Sequence, residues 1–131
     1  MLLKRTLFAA FIAFSLLASC LNAELGDQAV VDLSNKIKGQ IKFTEVKEKE
    51  NTAYYAGKFT KGINKKNLRK WSIKIGDLYA KSFSELNIEI EGHGTKVFQS
   101  FTDLKFEEII GTQLSVLYNG EMIDYGIINR I

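Results

Sequence analysis

The sequence has no proline, one cysteine and one histidine among its 131 residues. A single histidine excludes any site that needs several imidazole ligands, and a single cysteine excludes an intrachain disulfide and a cysteine-rich zinc site. The lack of proline excludes a collagen-like chain. The remaining composition, 46% hydrophobic and 25% charged, is that of an ordinary globular protein whose length corresponds to one domain.

Residues 1–23 are typical of a signal peptide for export. Lys4 and Arg5 precede an apolar stretch from Leu7 to Ala18, and small residues follow it. This stretch is shorter than the ~20 residues that a membrane-spanning helix needs. We therefore expect a secreted or extracytoplasmic protein with a mature domain at 24–131.

Cys20 leaves two routes of processing open. Leu17-Ala18-Ser19-Cys20 resembles the lipobox of bacterial lipoproteins, in which the cysteine is lipidated and becomes the first mature residue. This lipidation applies only if the protein is bacterial, and it is the one membrane contact that we expect. Ordinary cleavage downstream would instead leave a mature domain without cysteine, so that its stability would come from the core alone.

Short segments of alternating apolar and polar residues fill the mature part, which is typical of β-strands. They occur at 37–43, 53–59, 71–75, 86–90, 97–102, 114–118 and 125–131. Gly92-His93-Gly94 and Asn119-Gly120 are turn signals between them. About eight strands, with turns every ~8–14 residues, predict an all-β antiparallel sandwich or barrel. The last strand is apolar enough for the centre of a sheet.

Two segments do not fit the strand pattern. Residues 104–110 contain Leu104, Phe106, Ile109 and Ile110, which we interpret as a loop that packs apolar side chains under one end of the sandwich. Residues 65–70 carry four positive charges, which we interpret as a solvated surface. We expect no nucleic-acid partner, because nucleic-acid binding requires a larger clustered basic footprint.

Six short motifs occur in an order and spacing that are characteristic of one family. They are Ile37-Lys38-Gly39-Gln40-Ile41-Lys42-Phe43, Gly57 with Gly62-Ile63, Gly76-Asp77-Leu78, Leu86-Asn87-Ile88 with Gly94, Phe101-Thr102-Asp103 with Ile109-Ile110-Gly111, and Tyr125-Gly126-Ile127-Ile128. Together they resemble the copper/zinc superoxide dismutase family over nearly the whole mature chain. The resemblance implies an eight-stranded Greek-key sandwich of immunoglobulin-like architecture.

The resemblance does not extend to the metal site of that family, where four imidazoles hold copper and three imidazoles with an aspartate hold zinc. Residues 71–74 contain none of the expected histidines, and Leu117 lies at the position of a copper ligand. Tyr125 replaces a disulfide cysteine, and Met122 lies near the position of the substrate-guiding arginine. The resemblance therefore implies a domain without copper or zinc, without a cofactor and without catalytic residues.

The remaining candidate metal ligands are His93, Glu89 and Glu91, which are close together along the chain. They would form at most an adventitious cation site. We interpret His93 as a polar turn residue between two glycines. The two glutamates are interpreted as part of a solvated strand face.

Three hypotheses for function follow. The first is an exported, non-catalytic domain that binds a protein partner or forms a homodimer, since members of the family dimerise through strand edges and terminal residues. The second is a superoxide dismutase with a rebuilt or intersubunit copper and zinc site that includes His93. The third is an envelope lipoprotein with an unrelated β-sandwich, which lipidation of Cys20 would favour.

Overall fold

The computed structural model describes residues 25–131, so the predicted signal peptide and Cys20 lie outside the described part. Eleven strands and one short helix are present there. The strands are β1 (Leu25–Ser34), β2 (Lys38–Val46), β3 (Ala53–Lys61), β4 (Trp71–Ile75), β5 (Tyr79–Ser82), β6 (Ile90–Glu91), β7 (Gly94–Thr95), β8 (Phe98–Thr102), β9 (Gln113–Tyr118), β10 (Glu121–Ile127) and β11 (Asn129–Arg130). The helix is α1 (Phe106–Ile109).

The strands form two main antiparallel sheets and one small hairpin. The first sheet has the order β11-β1-β2-β3-β8, the second has the order β10-β9-β4-β5, and β6 pairs with β7. Eight strands have four or more residues, and four of these lie in each main sheet. The prediction of an all-β sandwich is confirmed. The exact eight-strand Greek-key connectivity remains a prediction.

Alternation of buried and exposed residues is clearest in β4. In β4, Trp71, Ile73 and Ile75 are at most 2% exposed, while the residues between them are partly exposed. Six aromatic residues at strand spacing are expected in the core. Phe101 differs from the other five, because it lies on the outer side and packs on Tyr54 with 5.3 Å between ring centroids. The other five are at most 5% exposed: Phe43, Tyr55, Phe59, Trp71 and Phe98.

Two antiparallel hairpins join strands that the sequence predicts. Strands β2 and β3 pair with Phe43 opposite Tyr55. Strands β9 and β10 are joined at Asn119-Gly120, where φ is 53° and 82°. Both turn residues adopt positive φ, as the tight turn that matches the twist of a hairpin requires.

The strand predicted at 86–90 is wrong, because only its last residue belongs to a strand. Phe83 and Ile88 are fully buried, and the Ile88 N–H donates to the Phe83 carbonyl over 2.9 Å. Ser82 and Glu85 close the same turn with reciprocal side-chain hydrogen bonds to backbone N–H groups of 2.9 and 3.0 Å. The apolar residues therefore anchor a turn to the core instead of covering one face of a sheet.

The prediction of a central last strand is also wrong. Strand β10 ends at Ile127 and forms the edge of the second sheet. The buried Ile128 follows, and β11 then pairs with β1 in the first sheet. The chain thus changes sheets at Ile128, and its apolar residues divide between the core and the surface.

Two further elements differ from expectation. Residues 25–34, for which no strand was predicted, form β1, with Ala29, Val31 and Leu33 buried in alternation. The stretch interpreted as a loop contains α1, whose start is closed by a 2.9 Å hydrogen bond from the Lys105 N–H to Glu108 Oε1.

Within residues 25–131, no helix is long and apolar enough to cross a membrane.

Candidate functional site

The three candidate metal ligands lie near one hairpin but do not form a metal-binding group. His93 is in the β6–β7 turn, Glu91 pairs with Gly94 across that hairpin, and Glu89 forms an ion pair with Lys96 at 3.3 Å. Among residues 25–131, no group of three or more histidine, cysteine, aspartate or glutamate side chains could hold a metal ion. The structure brings His93 together with lysines instead.

His93 lines an open groove of about 340 Å³ between the β1–β2 turn, the start of the β3–β4 loop and the β6–β7 turn. We call it the lysine groove. Its lining residues include three lysines, one histidine and two asparagines, and no acidic residue. The lining residues are Asn35, Lys36, Lys38, Lys61, Gly62, Asn64 and His93.

One wall of the lysine groove is fixed by the residue between two of its lysines. Ile37 is fully buried, and its backbone N–H donates to Asp124 Oδ2 over 2.8 Å in the interior. Asp124 belongs to β10, so this bond joins the β1–β2 turn to the opposite sheet. Lys36 and Lys38 flank the anchored residue, and their side chains remain exposed.

The other wall depends on a close approach of two backbones. Gly62 has φ +95°, and a Cβ at this position would lie 2.3 Å from the Lys36 carbonyl oxygen. The next residue, Ile63, is fully buried and donates its N–H to the His93 carbonyl over 2.9 Å. Only glycine fits at this point without moving a wall, because any side chain would overlap the facing backbone.

The basic segment 65–70 continues from this wall. Its four basic side chains are exposed, as expected for a solvated surface. Two of them also make contacts. Lys66 Nζ donates to the Gly92 carbonyl beside His93, and Lys65 Nζ lies 5.6 Å from the centroid of the Tyr118 ring. The Lys66 contact holds the turn that carries His93 against the groove.

The lysines of the lysine groove have no ion-pair partner in the described part of the chain. Lys36, Lys38 and Lys61 form neither an ion pair nor a side-chain hydrogen bond with residues 25–131. Like charges that converge without carboxylates create a positive potential, which attracts anions from solution. The groove is therefore suited to an anionic group.

A second surface of opposite character lies on the outer face of β10. Met122, Tyr125 and Ile127 are 48%, 52% and 45% exposed, whereas Asp124 between them points inward and is 6% exposed. We call Met122, Tyr125 and Ile127 the apolar strip. The strip is flanked on β9 by Leu117, Ser115 and Gln113, which are its register partners.

The core also contains a pair of buried tyrosines. The hydroxyls of Tyr55 and Tyr79 are 3.0 Å apart inside the core. Burial raises the pKa of Tyr55 far above its ordinary value, and burial also raises the pKa of Tyr79. Because the two hydroxyls satisfy one another and stay protonated at neutral pH, the pair is structural.

The sequence contained partial signals for both surfaces. Lys36 and Lys38 flank an apolar residue, but nothing in the sequence brings Lys61 beside them, because that contact depends on the Gly62 approach. The apolar pattern at 125–131 predicts a central strand, and such a strand would bury Tyr125 and Ile127. The chain is thus a β-sandwich with two accessible surfaces of opposite chemistry. Neither protein-family models nor curated proteins give a match to it.

Proposed function

We propose that this protein is an exported, non-catalytic binding domain with a superoxide dismutase-like sandwich, and that it pairs with a second copy of itself through the apolar strip. The apolar strip carries the proposal, because it presents three large apolar side chains on one face of an edge strand. Tyrosine and methionine are enriched at the centres of protein interfaces, and polar residues form the rim. Ser115 and Gln113 on β9 supply polar neighbours of this kind.

The superoxide dismutase-like assignment is supported by the strand arrangement. The resemblance implies eight antiparallel strands. The eight strands of four or more residues lie four in each main sheet. Members of that family dimerise through strand edges and terminal residues. Here the edge strand β10 bears the apolar strip.

The non-catalytic assignment rests on the number of available ligands. A redox-active copper centre needs several nitrogen or sulfur ligands held in place. The sequence has one histidine and one cysteine in total. Dialysis against a weak chelator after loading with copper and zinc is expected to leave substoichiometric metal and no superoxide turnover. Stoichiometric copper with turnover that His93→Ala abolishes would contradict this part of the proposal.

Self-association is tested by sedimentation equilibrium of the purified protein, with its processed N-terminus determined by mass spectrometry. The wild-type protein is expected to dimerise, and Tyr125→Glu and Ile127→Glu are expected to be monomeric, because each buries an unpaired carboxylate in the interface. Leu78→Glu is the matched control, since Leu78 is 53% exposed and lies in the β4–β5 turn and not on β10. A monomeric wild-type protein, or equal loss in the control, would refute the proposal.

A further inference from the structure

We propose that the lysine groove is a binding site for a phosphoryl anion, that is, a tetrahedral oxyanion group with at least two negative charges. The groove and the apolar strip share no residue, so a test of anion binding does not depend on the result for self-association. Three lysines and no acidic residue line the groove. Lysine acts on phosphate as a compact point charge with three donors, which suits an oxyanion with several acceptor oxygens.

The convergence of the lysines is the first argument. Lys38 and Lys61 are direct register partners across the β2–β3 pair, and Lys36 joins them from the adjoining turn. Like charges directly opposite each other destabilise a strand pair. A bound dianion would remove this repulsion. Binding would therefore stabilise the β2–β3 pair, which it would not do on a surface where the lysines are far apart.

The neutral donors are the second argument. Asn35 and Asn64 bring side-chain amide donors to the same groove, and His93 brings a ring N–H. Amide and imidazole donors complement acceptor oxygens and add direction to the attraction of the charges. A purely electrostatic surface would not need these groups at the same place.

The rigidity of the walls is the third argument. Ile37 is tied to Asp124 at 2.8 Å, Ile63 is tied to His93 at 2.9 Å, and Gly62 brings the two loops into contact. The backbone that carries the donors is therefore in place before a ligand arrives. Such preorganisation lowers the entropic cost of binding.

The size of the groove limits the ligand. Small-molecule sites usually measure ~300–1,000 Å³. At about 340 Å³, and open to solvent, the lysine groove is near the lower end of that range. It therefore fits one or two phosphoryl groups with a small carrier, or a lipid phosphate headgroup whose acyl chains stay outside.

The chain offers a matched pair of double variants for the test. Lys38→Gln/Lys61→Gln removes two charges from the groove. Lys42→Gln/Lys58→Gln removes two exposed charges from the same two strands outside the groove. Both variants change the net charge equally, so a difference between them reports the site and not the overall charge. Circular dichroism spectra establish that both are folded.

Binding is measured by calorimetry with inorganic pyrophosphate at low ionic strength. Because the sequence has one histidine, the ring N–H and C–H resonances of untagged protein report on His93 alone. The wild type and the Lys42→Gln/Lys58→Gln control are expected to bind saturably and to shift the His93 resonances. The Lys38→Gln/Lys61→Gln variant is expected to bind at least about tenfold more weakly, because two charge-assisted contacts are lost.

Vesicles of phosphatidylcholine, with and without phosphatidic acid, identify the source of the phosphoryl group. Binding to the phosphatidic acid vesicles that pyrophosphate displaces assigns the site to a lipid headgroup. Pyrophosphate binding without vesicle binding assigns it to a soluble phosphate compound. Absence of binding to either probe, or equal weakening in the two double variants, would overturn the proposal.

Discussion

The lysine groove and the apolar strip differ in how each is attached to the fold. The groove is made of turns, a loop and the adjoining ends of β2 and β3, and buried anchors such as Ile37 and Ile63 fix its walls. The strip lies on a strand, and its three side chains are about half exposed to solvent. In this molecule the irregular segments of the groove are therefore anchored more firmly to the core than the side chains of the apolar strip. Substitutions in the groove walls should damage the fold, whereas substitutions in the strip should damage only association.

Gly62→Ala is expected to produce the largest effect. The new Cβ would lie 2.3 Å from the Lys36 carbonyl oxygen at a residue with φ +95°. Backbone strain and overpacking together should lower the free energy of unfolding by about 4 kcal/mol. Urea denaturation followed by tryptophan fluorescence measures the loss.

Gly120→Ala provides the control for that prediction. Gly120 also has positive φ, at +82°, but nothing lies within 4 Å of its hypothetical Cβ. Conformational strain alone should cost about 1.5 kcal/mol there. Equal losses in the two variants would show that the contact between the groove walls contributes nothing to stability.

Asp124→Asn is expected to have an intermediate effect and to connect the two regions. Its carboxylate accepts the N–H of Ile37 and the N–H of Tyr125, each at 2.8 Å. An amide has one oxygen, so one of these donors would lose its acceptor at a cost of about 2 kcal/mol. The variant should also weaken pyrophosphate binding, because the Ile37 anchor is loosened. Urea denaturation and calorimetry measure the two effects.

Asp32→Asn is the control for this substitution. Asp32 also accepts one hydrogen bond at 2.8 Å, from Gln40, but at an exposed position. Its loss should change the free energy of unfolding by less than about 0.5 kcal/mol. If Asp124→Asn were as mild as Asp32→Asn, the anchor would not support the groove.

The sequence predicted the parts of the fold that local patterns determine. The β2–β3 and β9–β10 hairpins follow from alternation and from Asn119-Gly120, and both depend on residues close together in the chain. The residues at 83–88 show the limit of such patterns. Leu86, Ile88 and Ile90 satisfy a strand pattern, and only the burial of Ile88 beneath a turn, together with Phe83, determines the outcome.

The candidate site was beyond local patterns for a physical reason. The lysine groove depends on the contact between Gly62 and Lys36 and on the bond between Ile37 and Asp124, which are far apart in sequence. Neither residue pair carries a motif. The apolar strip was hidden because an apolar sequence at 125–131 does not reveal that the chain changes sheets at Ile128. Tertiary contacts determine which residues form each of the two surfaces.

Ile127→Thr is expected to have the smallest effect on stability. Ile127 is 45% exposed on the edge strand, and threonine keeps a β-branched side chain that suits a strand. The free energy of unfolding, measured at a protein concentration low enough to keep the chain monomeric, should change by less than about 0.5 kcal/mol. Ile128→Thr, at the neighbouring fully buried position, should cost about 3 kcal/mol through lost packing and a buried hydroxyl. If Ile127→Thr approached the cost of its neighbour, the apolar strip would belong to the core and would not be free to dock a second copy.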